Sequence, residues 1–318
     1  MITEKKYPIL FPQPVLKSMV WGGKRLVSEF GYSGESDTLG ECWGIAAHPN
    51  GDSRLFNMEF GGMTLSELWR EERRFFGDFT GEVFPLLTKV IDAADDLSIQ
   101  VHPDDAYAQR EENGSLGKTE CWYVADCPRD ATLVIGHHAQ TREELREMTQ
   151  AGRWEELLRH VPVSPGDFIQ IDPGTIHAIT AGCLIVETQQ NSDITYRLYD
   201  YDRTVGGSPR ELHIRKSLDV IQVPAKPAED MVLPTAGMEK NQWNLLIRCP
   251  YYRVYKLELC GEMTFSHNES FLNVTVVDGS GWIEGTPIKK GEHLILPAHF
   301  GLVTVKGEMV LLASDAGH

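Results

Sequence analysis

Short strands separated by Gly, Pro and Asp turns dominate this sequence. Residues 164–179, SPGDFIQIDPGTIHAI, and residues 271–285, FLNVTVVDGSGWIEG, show the pattern. Such runs predict antiparallel sandwiches or barrels rather than a parallel sheet with crossover helices. We therefore expect a mainly β chain made of two jelly-roll β-sandwich domains.

A few segments carry helical signals instead. Residues 64–79 and 103–113 have apolar residues at helical spacing, and residues 141–161 open with Thr141 and Glu144 in the spacing of a capping box. Gly152 interrupts the last segment, which therefore predicts two short helices. We expect these segments to form a small helical insertion in the first sandwich.

A weak internal repeat suggests where the two domains divide. Residues 164–177 and 289–301 both contain a turn, a Gly followed by an acid, a short apolar strand and a Pro. Residues 223–242 between them are rich in Pro and polar residues, so we expect domains at 1–235 and 236–318. Four residues past the shared proline the first copy has His177, whereas the second has Gly301, which predicts that only the first domain binds a metal.

Composition limits the classes of partner. A length of 318 residues suggests about two domains, and 42% apolar with 24% charged residues is typical of a soluble globular chain. The net charge of −16 argues against nucleic acid and anionic membranes as partners. The N-terminal residues do not resemble a signal peptide, so we expect a cytoplasmic protein, either a monomer or a weak homo-oligomer.

Four polar residues form a candidate metal site. Residues 97–105, LSIQVHPDD, alternate so that Gln100 and His102 share one face of a strand. Glu120 opens a later strand, and His177 follows a Pro-Gly turn. Two imidazoles, a carboxylate and a weak amide ligand suit a catalytic zinc that keeps a position open for water or substrate.

These motifs resemble the type I phosphomannose isomerases, zinc enzymes of the cupin superfamily, and most of all their short bacterial class. The resemblance covers most of residues 1–215. It rests on the segments VLKSMVWGGKRL (15–26), ECWGIAAHPNG (41–51), FPLLTKVIDAADDLSIQVHPDD (84–105), GKTE (117–120), DPGTIHAI (172–179) and VETQQNSDITYRLYDYDR (186–203). It implies one zinc ion per chain, bound by Gln100, His102, Glu120 and His177.

The resemblance also implies a reaction, the interconversion of mannose 6-phosphate and fructose 6-phosphate through a cis-enediolate. The family's active-site Lys, Glu and Arg correspond to Lys118, Glu187 and Arg197. The residues alone do not decide whether Glu187 or Lys118 is the base that transfers the proton. Arg197 could support the enediolate or bind the phosphate of the substrate, as could Lys118. Lys89 is a further candidate, because a buried ammonium needs an anionic partner.

One departure from the family concerns residues 117–120. Longer members have His-Lys-Pro-Glu where this chain has Gly-Lys-Thr-Glu, so any role of that extra histidine has no counterpart here. The acid that opens the sugar ring therefore stays unassigned. Seven other histidines lack ligand-like spacing and are predicted to be surface or structural residues: His48, His137, His138, His213, His267, His293 and His299.

Two other classes of function fit parts of the pattern. His102, Glu120 and His177 are also a set of two histidines and one carboxylate, which suits Fe(II) and oxygenase chemistry. Two features argue against an oxygenase. Gln100 would fill a metal position that an oxygenase needs open, and an oxygenase has no need of phosphate-binding cations such as Lys118 and Arg197. A sugar-binding cupin without catalysis is the third class.

Overall fold

The computed structural model describes residues 7–34, 36 and 38–317. The chain is mainly β, as the sequence predicts. The strands of the N-terminal part are β1 (Val15–Lys17), β2 (Glu41–Ile45), β3 (Ala47–His48), β4 (Gly51–Asp52), β5 (Leu86–Asp92), β6 (Ile99–Val101), β7 (Glu120–Asp126), β8 (Thr132–His137), β9 (Leu158–Pro162), β10 (Asp167–Ile171), β11 (His177–Ala178), β12 (Leu184–Gln190), β13 (Tyr196–Tyr199), β14 (Thr204–Val205), β15 (Ser208–Pro209) and β16 (Val232–Pro234).

Two antiparallel sheets of this N-terminal part form a sandwich. Sheet A has the strand order β1-β2-β5-β12-β7-β10-β16, and sheet B has the order β13-β6-β11-β8-β9. Their inner faces share a core in which Ile91, Val124 and Ile185 from sheet A pack with Leu133 and Ile135 from sheet B. Side chains two positions away from these residues on the same strand, such as Lys89 and Glu187, therefore also point between the sheets.

Helices pack on the outer face of sheet B and against the outer face of sheet A. Their bounds are α1 (Arg25–Ser28), α2 (Leu65–Glu71), α3 (Asp105–Glu111), α4 (Arg142–Gln150), α5 (Trp154–Leu157) and α6 (Ile214–Val220), with short 3₁₀ helices at Met58–Phe60, Arg73–Phe75 and Ala228–Asp230. Helix α2 begins at a complete capping box, in which Thr64 and Glu67 each accept from the other's backbone N–H. Among the described residues, no helix is long and apolar enough to cross a membrane.

The predicted helical segment 141–161 is shorter in the structure. Gly152, with φ +65°, separates α4 from α5 as expected, but residues 158–161 lie in strand β9 rather than in a helix. Leu158 and Val161 have a spacing that fits either element, and pairing with β8 places them in sheet B. Tertiary pairing therefore overrides the local helical pattern.

The C-terminal part forms a third sheet, sheet C. Its strands are β17 (Asn244–Arg248), β18 (Arg253–His267), β19 (Leu272–Ile283), β20 (Thr286–Lys289), β21 (His293–Leu296) and β22 (Gly301–Asp315). One face of sheet C has its own apolar core, which also includes Ile9 from the N-terminal segment. The other face packs on the outer face of sheet A, where Val254 and Leu312 join the cluster of Cys42, Val90 and Val186.

Candidate active site

Two rows of side chains face each other inside the sandwich. In sheet B, strand register places Arg197 opposite Gln100 and Gln100 opposite His177. In sheet A, the register runs Trp43, Lys89, Glu187 and Trp122 across four adjacent strands. The sandwich therefore brings together residues that lie far apart in the sequence.

The four predicted metal ligands meet between these rows. The Nε2 atoms of His102 and His177 lie 3.1 Å apart. Each also lies 3.3 Å from one carboxylate oxygen of Glu120, and the side-chain amide of Gln100 lies 3.3 Å from His177 Nε2. His102, Glu120 and His177 form a group of potential metal ligands and are fully buried.

The protonation of this cluster fits a metal cation. His177 Nδ1 lies 2.9 Å from the carbonyl oxygen of Thr175 and donates to it, which leaves the lone pair of Nε2 directed at Glu120. Burial lowers the pKa of both imidazoles, that of His102 to about 3, so the rings are neutral. Glu120 Oε1 is buried without a hydrogen-bond partner among the described residues. Neutral imidazoles around an unpartnered carboxylate oxygen match the donor set of zinc.

Lys118 lies beside the same cluster. Its ammonium contacts Glu120 Oε2 and lies 3.0 Å from His102 Nε2. Burial raises the pKa of Glu120, but Lys118, His102 and His177 together outweigh burial, and the pKa lies well below its usual range. Glu120 is therefore an ionised carboxylate in the folded protein.

Glu187 and Lys89 form a buried ion pair in the row of sheet A. Lys89 Nζ lies 3.2 Å from Glu187 Oε1 and 3.8 Å from Glu41. Burial lowers the pKa of Lys89, but these carboxylates outweigh it and the net shift is upward. Burial, followed by the charge of Glu120, raises the pKa of Glu187. Lys89 is therefore buried beside two carboxylates rather than unpaired, and its part in binding a phosphate stays a prediction.

Arg197 has no carboxylate partner among the described residues. Its Nη1 donates to the backbone oxygen of Glu211 at 3.2 Å, and its buried Nε has no partner. Asp200, three residues along the chain from Arg197, pairs with Arg203 and Arg210 at 2.6 Å each. The guanidinium of Arg197 therefore keeps hydrogen-bonding capacity for an anion.

Two cavities that share part of their lining lie beside these residues. An inner cavity of about 90 Å³ lies next to Gln100, Glu187 and Trp122. An outer cavity of about 480 Å³ opens beside it, within the usual size of small-molecule sites. Both are lined by Glu41, Lys89, Lys118, Arg197, Met19 and Thr195. A groove of about 490 Å³ beside Trp154 on the far side of sheet B contains none of the predicted site residues.

Several lining residues were not identified from the sequence. Lys17 and Trp43 line the outer cavity, and Arg210 lines the inner one. His213, grouped above with the structural histidines, lines the outer cavity and accepts the backbone N–H of Arg197 through Nδ1 at 3.2 Å. Lys17 and Trp43 lie within matched motifs, but nothing in their local pattern shows that they face a cavity.

The fold and the site define a cupin with a buried His–Glu–His cluster beneath a cation-lined cavity. The family model for the catalytic domain of type I phosphomannose isomerase matches residues 10–126, and the model for the mannose-6-phosphate isomerase cupin domain matches residues 241–316. The chain belongs to the type I phosphomannose isomerase family, as its motifs predicted.

Relatives along nearly the whole chain support this assignment. Mannose-6-phosphate isomerase ManA of Bacillus subtilis is 49% identical over 94% of this chain and 96% of its own length. A mannose-6-phosphate isomerase of Streptococcus mutans is 45% identical over 96% of this chain and 98% of its own. The crystal structure of a Bacillus subtilis mannose 6-phosphate isomerase matches with a TM-score of 0.88 and 44% identity, over 96% of this chain and 99% of that one.

Proposed function

We propose that this chain is a zinc-dependent isomerase that interconverts mannose 6-phosphate and fructose 6-phosphate through a cis-enediolate. The observation that carries the proposal is the buried cluster of His102, Glu120 and His177, which lies beside a cavity lined by Lys118 and Arg197. The family assignment supports the choice of substrate, since ManA carries the name of this activity.

One zinc ion per chain would be held by Gln100, His102, Glu120 and His177. When bound, zinc supplies a Lewis acid that stabilises negative charge on the carbonyl oxygen of the sugar. The thiol-free donor set of neutral imidazoles and a carboxylate is typical of catalytic zinc sites. The unpartnered Oε1 of Glu120 supports this assignment, because a buried carboxylate oxygen without a donor is costly unless a cation occupies the site.

The phosphate group of the substrate would be bound by Arg197, with Lys118 and Lys89 adding positive charge. The free Nε of Arg197 supports its part, because a guanidinium binds phosphate through adjacent N–H groups. Lys89 and Lys118 line both cavities, so they would act on the sugar and its enediolate as well as on the phosphate. A few close cations suffice inside a cleft, even though the whole chain carries a net charge of −16.

Glu187 is the residue that we propose as the base. The carboxylate would take the proton from C2 of the open-chain mannose phosphate and return it to C1 on the same face. Its raised pKa brings it closer to neutral pH, and its Oε1 has no hydrogen-bond partner among the described residues besides the Lys89 ammonium. Lys118 is engaged by Glu120 and His102, which favours a role in stabilising the enediolate charge.

A coupled isomerase assay on metal-free and zinc-loaded protein tests this proposal. Turnover of mannose 6-phosphate should depend on zinc, and Glu120→Gln should lose both zinc and turnover. Consumption of oxygen with Fe(II) would indicate an oxygenase. Sugar-phosphate binding without isomerisation under zinc saturation would indicate a binding protein. Either outcome would overturn the proposed function.

A further inference from the structure

Trp122 contacts both Glu187, the proposed base, and His177, a proposed metal ligand. The side chain is buried between sheets A and B, with 1% of its surface exposed. Its indole Nε1 donates to Glu187 Oε2 at 3.1 Å. Its ring meets that of His177 edge-on, with centroids 5.4 Å apart and an angle of 74° between the planes. Trp122 therefore lies between the carboxylate in sheet A and a ligand of the metal cluster.

The two oxygens of Glu187 have different surroundings. Oε2 accepts the indole N–H of Trp122, whereas Oε1 lies 3.2 Å from Lys89 Nζ and has no other hydrogen-bond partner among the described residues. Cross-strand register fixes this arrangement, because Lys89 and Trp122 are the direct neighbours of Glu187 on its two sides. Rotation of the carboxylate would leave a buried indole N–H unsatisfied, which is costly.

We propose that Trp122 is a positioning residue, whose indole N–H holds Glu187 Oε2 so that Oε1 faces the cavity and accepts the substrate proton. This inference rests on the proposed role of Glu187 as the base. The indole N–H acts through Glu187, because it is already donated to Oε2. A general base contributes only when its accepting atom is within reach of the proton, so the orientation of this carboxylate controls the chemical step.

Trp122→Phe removes the N–H and keeps an aromatic ring beside His177. We expect kcat to fall about 10- to 100-fold, the effect of one hydrogen bond to a charged group, with KM within about twofold of wild type. Zinc content should be unchanged. Trp69→Phe is the matched control, because Trp69 is equally buried and donates its Nε1 to the backbone oxygen of Glu82 at 3.2 Å, away from the site.

A double-variant cycle separates positioning from packing. In a Glu187→Gln background, Trp122→Phe should cause no further loss of kcat, because the indole acts only through the carboxylate. Independent losses that multiply in the double variant would overturn the proposal. Loss of zinc in Trp122→Phe, or a rise in KM with unchanged kcat, would do the same.

An NMR measurement on the zinc-loaded protein keeps the test independent of turnover. The indole N–H resonance of Trp122 is identified by its disappearance in Trp122→Phe, or by sequential assignment if that variant does not fold. This resonance should lie downfield in wild type. It should move upfield in Glu187→Gln, because an amide oxygen is a weaker acceptor than a carboxylate. An unchanged resonance would overturn the positioning contact. A wild-type enzyme without isomerase activity would instead overturn the proposed function and leave this contact measurable.

Discussion

Replacing Lys89 by Met should destabilise the fold strongly. Lys89 is buried in sheet A with its ammonium 3.2 Å from Glu187 and 3.8 Å from Glu41. Met retains most of the aliphatic volume but no charge. The variant would therefore leave Glu187 buried without its cation, close to the negative charge of Glu120.

The expected size of the effect follows from the geometry. At 3.2 Å and an effective dielectric constant of about 20, the attraction between Lys89 and Glu187 is about 5 kcal/mol. Removing one partner of a buried pair typically costs about 3–5 kcal/mol, because the other charge is left uncompensated. We expect Lys89→Met to lower the free energy of unfolding by that amount. Adding Glu187→Gln should restore about 1.5–3 kcal/mol of it.

Urea denaturation at a fixed zinc concentration measures these differences, since zinc binding adds to the apparent stability. Lys256→Met is the matched control. Lys256 is similarly buried on a strand, but its ammonium contacts the hydroxyl of Thr235 at 3.0 Å instead of a carboxylate. A loss below about 1 kcal/mol for Lys89→Met, or one equal to that of Lys256→Met, would refute the reasoning.

Further predictions concern the substrate, the metal and pH. Arg197→Ala and Lys118→Ala should keep zinc but lose roughly 10- to 150-fold in kcat/KM, and loss of zinc in either variant would contradict these roles. Mannose without phosphate should react at least about 100-fold less efficiently than mannose 6-phosphate. Equal kcat/KM values would refute the proposal that Arg197, Lys118 and Lys89 bind the phosphate. Burial lowers the pKa of His293 to about 4. Between pH 6.5 and 4 this imidazole is therefore protonated in the unfolded chain but neutral in the folded protein. The contribution of His293 to stability should therefore fall by about 1.4 kcal/mol per pH unit as pH drops through this range, and urea midpoints should show a shallower slope in His293→Leu.

The metal cluster could be predicted because its signals are local. Gln100 and His102 share a face through the two-residue period of one strand. His177 follows a turn in which Gly174 has a φ of +83°, a conformation that suits glycine. The approach of these residues to Glu120 was inferred from their chemistry as a set, which suits a metal ion.

The partners of Glu187 could not be predicted because they depend on strand register. Lys89, Glu187 and Trp122 lie on three strands that are adjacent in sheet A but distant in the sequence. Alternation in each strand shows which face a side chain takes, but not which residue on the next strand lies opposite. The sequence therefore identified Lys89 and Glu187 as candidates without showing that they pair.

The packing of Ile9 shows a similar limit at the level of domains. This residue joins the apolar core of sheet C, and the neighbouring Leu10 pairs with Ile295. Nothing in the short N-terminal segment indicates a contact almost 290 residues away in the sequence. Hydrophobic pattern alone predicts that such a residue is buried, but not which core receives it.

A zinc titration of metal-free protein with a coupled mannose 6-phosphate assay tests the central claim most directly. Activity should rise linearly with added zinc and reach its plateau at one equivalent per chain. The double variant His102→Ala, His177→Ala should bind no zinc and show no turnover at any point of the titration. Full activity in the absence of metal, or a plateau at two equivalents, would contradict the assignment of the buried His102–Glu120–His177 cluster as the catalytic zinc site.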